Sequence, residues 1–96
     1  MVENKRIVLV GAGNVATHLG WAWQKAGYEI AQVYSRTSDS ALVLADQLGV
    51  SYTTSLEEIC NDADVYVVMV KDAVLQELIP SVVKGREDAL FIHTAG

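Results

Sequence analysis

The ten residues Ile7-Val8-Leu9-Val10-Gly11-Ala12-Gly13-Asn14-Val15-Ala16 constrain this chain more than any other stretch. Four consecutive apolar residues stopped by a glycine read as a strand buried on both faces, the kind that parallel sheets contain. From Asn14 the apolar period becomes helical: Val15, Leu19, Ala22 or Trp23, and Ala26 fall on one face, and Gly27 supplies the stop. Each small residue of the turn has its own task. Gly11 permits the tight exit from the strand, and Gly13, without a Cβ, lets a pyrophosphate approach the backbone. Ala16 and Gly20 keep the helix close to the sheet. The N–H groups of residues 13 to 16 and the helix dipole then favour an anion. A turn needed only for packing would explain Gly11 and Gly20, and the bare Gly13 less well. Asn14 either donates its amide to a phosphate or caps the helix.

The remaining chain repeats the alternation. Tyr28 to Tyr34 reads as a second strand with Ile30 and Val33 in the core. Ser38 or Asp39 caps a helix whose buried stripe is Ala41, Leu44, Ala45 and Leu48, ended by Gly49. Val50-Ser51-Tyr52 is a short third strand. Ser55-Leu56-Glu57-Glu58 has the form of a capping box opening a short helix. Val65 to Val70 is a fourth strand. Asp72 heads a helix with Leu75, Leu78, Ile79 and Val82 inward, which Pro80 should kink or restart, and Ala89 to Ile92 is a fifth strand. Right-handed crossovers predict an α/β, three-layer, Rossmann-type doubly wound parallel sheet of five strands in the order 3-2-1-4-5. Residues 1–96 make one domain. The sequence stops just after a strand, with no helix to cover the new edge, so a further C-terminal part is expected to be absent from it.

Composition narrows the functions open to such a domain. A net charge of −5 argues against a general nucleic-acid binder, which would need a basic face. The single cysteine, Cys60, can form no internal disulfide and reads as a half-buried thiol near a helix end. No Cys/His cluster points to a metal. The N-terminus has no signal-type apolar run and no stretch reaches membrane-spanning length, so a cytoplasmic protein is the expectation.

The cofactor is read one strand away from the glycines. An acidic residue ending the second strand would accept from the ribose 2′-OH of NAD. Here Ser35-Arg36-Thr37 stand in that place, Glu29 lies at the opposite strand end, and Asp39 is already in the next helix. A hydroxyl and a guanidinium bind a 2′-phosphate that a carboxylate would repel. Such charge-assisted bonds contribute on the order of 1.5–3 kcal/mol, a roughly ten- to hundredfold preference for NADP. A solvated loop cation is the plainer reading of Arg36.

Ligands of open α/β sheets sit beyond the carboxyl ends of the strands. Val70 and Lys71 follow the fourth strand, where their backbone would line the nicotinamide ribose. The Lys71 amine reaches either the cofactor or solvent. Asp72 suits an N-cap better than a catalytic acid. Tyr52, Thr53 and Thr54 follow the third strand on the adenine side. His93 could orient a substrate or donate a proton beside a hydride transfer, or it could hydrogen-bond a neighbouring loop. His18 reads as structural. Of Trp21 and Trp23, one suits the core and the other a contact with a further domain. No hydrolytic Ser/His/Asp or Cys/His set stands out, as expected where a cofactor carries the chemistry.

Ile7 to Ala16, Ser35-Arg36-Thr37 and Val67 to Asp72 resemble the N-terminal domain of the pyrroline-carboxylate reductase-like oxidoreductases. Gly11-Ala12-Gly13-Asn14-Val15-Ala16-Thr17-His18-Leu19 and the closing His93-Thr94-Ala95-Gly96 resemble, within that group, a bacterial family of NADP oxidoreductases. The resemblance spans essentially the whole chain. It implies an NADP site, hydride transfer to or from a small-molecule substrate, and a C-terminal helical domain forming a homodimer interface. Relatives act on imines, keto acids and deazaflavins, so the substrate does not follow. Where the proline-making reductases read Val-Lys-Pro, this chain has Asp72 in the proline's place, which argues against proline biosynthesis. An isolated domain of this kind is expected to be inactive. The rival reading is a non-catalytic NAD(P)-sensing module on the same fold. A methyltransferase binding S-adenosylmethionine would want an acidic residue where Ser35 stands.

Overall fold

The computed structural model describes residues 5–11, 14–70, 72–86 and 88–93. Strands β1 (Arg6–Val10), β2 (Glu29–Tyr34), β3 (Ser51–Thr53), β4 (Val65–Val68) and β5 (Leu90–His93) alternate with helices α1 (Asn14–Lys25), α2 (Ser38–Leu48) and α3 (Asp72–Val83). One 3₁₀ turn, Leu56–Glu58, sits between β3 and β4. The sheet order is β3-β2-β1-β4-β5 and every pairing is parallel, as the alternation predicted.

Strand parity sorts the core into two layers. Ile7 and Leu9 of β1, Val67 of β4, and Ile30 and Val33 of β2 face α1 and α2, where Ala16, Leu44 and Leu48 meet them. Val8, Val10, Tyr66 and Val68 face α3 and the 3₁₀ turn, against Leu78, Val82 and Ile59. Val8, Leu9 and Val10 are fully buried, each contributing about 1.5–3 kcal/mol by leaving water.

Ile30 and Val33 share a face although they are three residues apart, which strict alternation forbids. The ladder explains it. Ile7 pairs with Ile30, but Val8 pairs with Gln32, so Ala31 is an extra residue in a bulge. Ala31 and Gln32 then both turn toward the α3 face, where Ala31 packs on that core. Gln32 there donates from Nε2 to the Glu58 carbonyl (3.1 Å) and accepts the Cys60 N–H at Oε1 (2.8 Å).

Several boundaries differ from the sequence expectation. Strand β4 ends at Val68 rather than Val70, and β5 and β3 each lie one residue further along. Thr37, not Ser38 or Asp39, is the N-cap of α2: its backbone is extended (φ −117°, ψ 142°) and its carbonyl accepts the Ala41 N–H. The capping box does not form. Ser55 makes no side-chain cap, Glu58 turns to Thr53 instead, and a single 3₁₀ turn results. Cys60 accordingly follows that turn rather than a helix. Helix α3 runs through Pro80 without restarting. On α1, Leu19 and Trp23 pack on the core whereas Ala22 and Ala26 are exposed. That helix ends in paired Gly27 N–H→Gln24 and Tyr28 N–H→Trp23 bonds, with Gly27 at φ +100°.

Candidate dinucleotide-binding site

The carboxyl ends of all five strands finish level. Thr53, Tyr34, Val10, Val68 and His93 are register neighbours in one row across the sheet. The residues next along the chain build the candidate site. Gly11 leaves β1 with φ +114°, and a Cβ there would lie 2.5 Å from the Met69 carbonyl oxygen and 3.3 Å from Val70 Cγ1. Only glycine fits, because the turn out of β1 runs against the chain leaving β4. The Gly11 N–H donates to the Tyr34 carbonyl (2.7 Å), which ties the turn to the end of β2 as well. Gly20 on α1 has the packing role foreseen for it: a Cβ would come within 2.8 Å of Leu48 and 3.3 Å of Leu9.

Ala12, Gly13 and Lys71 lie outside the described residues, as do Thr94, Ala95, Gly96 and the side chains of Asn14, Val15 and Asp72. Ala16 is buried, one turn into α1, in the core shared with Leu9. Helix α1 begins at Asn14 and has no acidic residue in its first turn, so nothing there opposes an anion.

Ser35 follows β2 directly. It is 8% exposed, and its N–H donates to the Thr53 carbonyl (3.2 Å). Arg36 and Thr37 are exposed beside it. Among the described residues Arg36 has no ion-pair partner, and Glu29, at the far end of β2, pairs with Arg6 at 3.5 Å. Asp39 lies in the first turn of α2. The donor set at this strand end is thus a hydroxyl and a guanidinium without a strand-end carboxylate, which fits a phosphorylated ribose.

Val70 packs on the α3-side core, and its carbonyl lies 3.2 Å from His93 Nε2. A carbonyl only accepts, so Nε2 carries the hydrogen. His93 therefore bonds the loop after β4. His18 is exposed on α1, as is Trp21, which is 45% exposed. The Cys60 thiol is half-buried and burial pushes its pKa up, the opposite of what a nucleophile needs. Among the described residues no group of three metal-type side chains gathers, and no helix is long and apolar enough to cross a membrane.

Sequence reasoning passed over two residues. Gln32 anchors the 3₁₀ turn as described above. Arg86 is 9% exposed and donates to five carbonyl oxygens: Ile59 (2.6 Å), Cys60 (3.2 Å), Ser81 (3.2 Å), Val82 (2.8 Å) and Lys84 (3.2 Å). It supplies the positive charge at the end of α3, whose last turn has no basic residue. Lys84-Gly85-Arg86 just past an apolar helix was the available signal.

A parallel sheet in this order, entered through a glycine turn at the head of α1, defines a Rossmann-type dinucleotide fold. The chain belongs to the family described as NADP oxidoreductase, coenzyme F420-dependent, whose sequence model matches residues 6–95. A solved structure from Bacteroides fragilis, described as an NADP oxidoreductase, is 47% identical over 96% of this chain with a TM-score of 0.91. A shikimate dehydrogenase (NADP(+)) of Lysinibacillus sphaericus is 34% identical over 56 residues, 58% of this chain. The fold is also that of a pyrroline-5-carboxylate reductase from Coxiella burnetii (TM-score 0.60, 15% identity, 98% of this chain and 60% of that one). The chain spans 36% of the Bacteroides structure and 20% of the shikimate dehydrogenase.

Proposed function

We propose that this domain binds NADP and presents it for hydride transfer to or from a small substrate. The observation that carries the reading is the end of β2, where buried Ser35 stands beside Arg36, which makes no ion pair among the described residues, with the nearest strand carboxylate, Glu29, held by Arg6 at the other end of the strand. Gly11, Ala12, Gly13, Asn14, Val15 and Ala16 would hold the pyrophosphate at the head of α1. Ser35, Arg36 and Thr37 would hold the 2′-phosphate, with Val70 and Lys71 lining the nicotinamide ribose. Bound NADP would supply the hydride. The chain's own part is to bind, orient and exclude: His93, by donating to the Val70 carbonyl, fixes the loop against which the nicotinamide end would lie. The substrate side would come from a helical domain of the kind the family resemblance implies, in a homodimer. Leu90 (58% exposed) and Ile92 (37% exposed) on β5 offer it an apolar face.

Titration with NADPH and NADH tests the reading. NADPH is expected to bind roughly ten- to a hundredfold more tightly, and Arg36→Ala to abolish most of that difference. Equal affinity of the unmutated chain for both would overturn it.

A further inference from the structure

The preference assigned to Ser35 depends on how Ser35 is held, and the inference here rests on that assignment. A single peptide group, between Tyr34 and Ser35, is gripped from both sides. Its carbonyl accepts the Gly11 N–H (2.7 Å) and its N–H donates to the Thr53 carbonyl (3.2 Å). The position of Ser35 is therefore set against the phosphate turn by one strand and against β3 by the other.

Strand β3 is a weak support by itself. It has three residues, lies at the edge of the sheet, and pairs only with β2. Short edge strands fray readily because half their backbone groups have no ladder partner. Thr53, at its end, is nevertheless 6% exposed and fully engaged. Its hydroxyl accepts the Ser55 N–H (3.0 Å). It can donate to only one acceptor. Glu58 Oε1 at 3.2 Å is nearer than the Ser55 carbonyl at 3.4 Å, and is charged. Glu58 is in turn fixed, because its carbonyl accepts from the Gln32 amide in the middle of β2. A closed path thus runs from β2 through Gln32, Glu58 and Thr53 back to Ser35 and Gly11.

We propose that Thr53, held by Glu58, is a positioning residue for cofactor specificity: it fixes the Ser35 peptide relative to the Gly11 turn, and so sets how well the site takes a 2′-phosphate. Neither residue need touch the cofactor.

The test measures dissociation constants for NADPH, NADH and adenosine 2′,5′-bisphosphate on the unmutated chain and on Thr53→Val, Thr53→Ser and Glu58→Ala. Valine keeps the branched shape and removes the hydroxyl. Thr53→Val should weaken NADPH and the bisphosphate about five- to tenfold while NADH changes less than twofold. Thr53→Ser should restore most of the loss. Glu58→Ala, which leaves Thr53 in the core and so covers the case of a poorly folded valine variant, should fall between. A role confined to stability would lower both nucleotides alike, and that result, or an unchanged NADPH-to-NADH ratio in both variants, overturns the proposal. An unmutated chain that prefers NADPH while both variants keep that preference overturns this inference alone. An unmutated chain that binds neither nucleotide overturns the assignment beneath it as well.

Discussion

The two ends of the sheet use their charges differently. At the amino ends of the strands two arginines are engaged within the protein. Arg6 pairs with Asp62 and Glu29, its backbone N–H donates to Asp64 (2.9 Å), and Arg86 is surrounded by carbonyl oxygens with Tyr66 beneath it. At the carboxyl ends Arg36 is exposed and, among the described residues, makes no ion pair. One end is built to be stable without a ligand, and the other keeps an uncommitted cation where a ligand would sit. Among the described residues Arg36 is the one arginine whose side chain has no protein partner, which is informative in a chain with seven Lys and Arg residues against twelve Asp and Glu.

The sharpest way to break this contrast is at Arg86. Arg86→Met strips donors from five carbonyl oxygens and should cost on the order of 3–5 kcal/mol in urea unfolding. Arg86→Lys, which keeps the charge but loses the planar fork, should cost about half as much. A neutral result for the methionine variant would mean that water serves these carbonyls equally well. Gly11→Ala tests a place where the carboxyl end is structural. Positive φ and the overlap with Met69 should together cost on the order of 3 kcal/mol, read by thermal unfolding, and should weaken any dinucleotide binding. Arg36→Ala should do the reverse of Arg86→Met, leaving unfolding free energy within about 0.5 kcal/mol while removing NADPH preference.

The smallest effect concerns acid. Arg6 holds the Asp62 carboxyl below its ordinary range. A carboxylate whose pKa is lower folded than unfolded contributes stability above the unfolded value, near 3.9, and loses it as pH falls through the folded one. Asp62→Asn should therefore lower stability slightly near pH 7, with the difference from the unmutated chain shrinking as pH falls below about 4. The pair is exposed, so the change is small; curves that coincide from pH 7 down through the acid limb would show that the pair contributes nothing.

Much of this molecule is legible in one dimension. Continuous apolar runs marked β1 and β4 because both faces of a parallel sheet are covered, and Gly11, Gly27 and Gly49 marked turns because each has a positive φ. The order of strands followed from handedness. What escaped reading depended on contacts between distant segments. Ser55 and Glu58 have the spacing of a capping box, yet Thr53, fixed by its pairing with Tyr34, draws the Glu58 carboxylate away. Arg86 looks like a loop cation until α3 and the segment before β4 converge on it. Of the candidate site, Gly11, Ser35 and Val70 lie close together, and His93 hydrogen-bonds the Val70 carbonyl, a contact between segments 23 residues apart that no local pattern announces.

The extra residue at Ala31 has a consequence for how such a site can change. Beyond it, every side chain of β2 points to the opposite layer from the one simple alternation would give, and Val33, Tyr34 and Ser35 inherit that choice. Removing one residue between Ile30 and Val33 would exchange the inward roles of Val33 and Tyr34 and carry Ser35 to the other layer. Cofactor preference on this scaffold is therefore open to revision by exchanging letters after β2, but closed to revision by changing their number. Among related chains, sequences with divergent residues at positions 35 to 37 should still keep the spacing from Gly27 to that point unchanged.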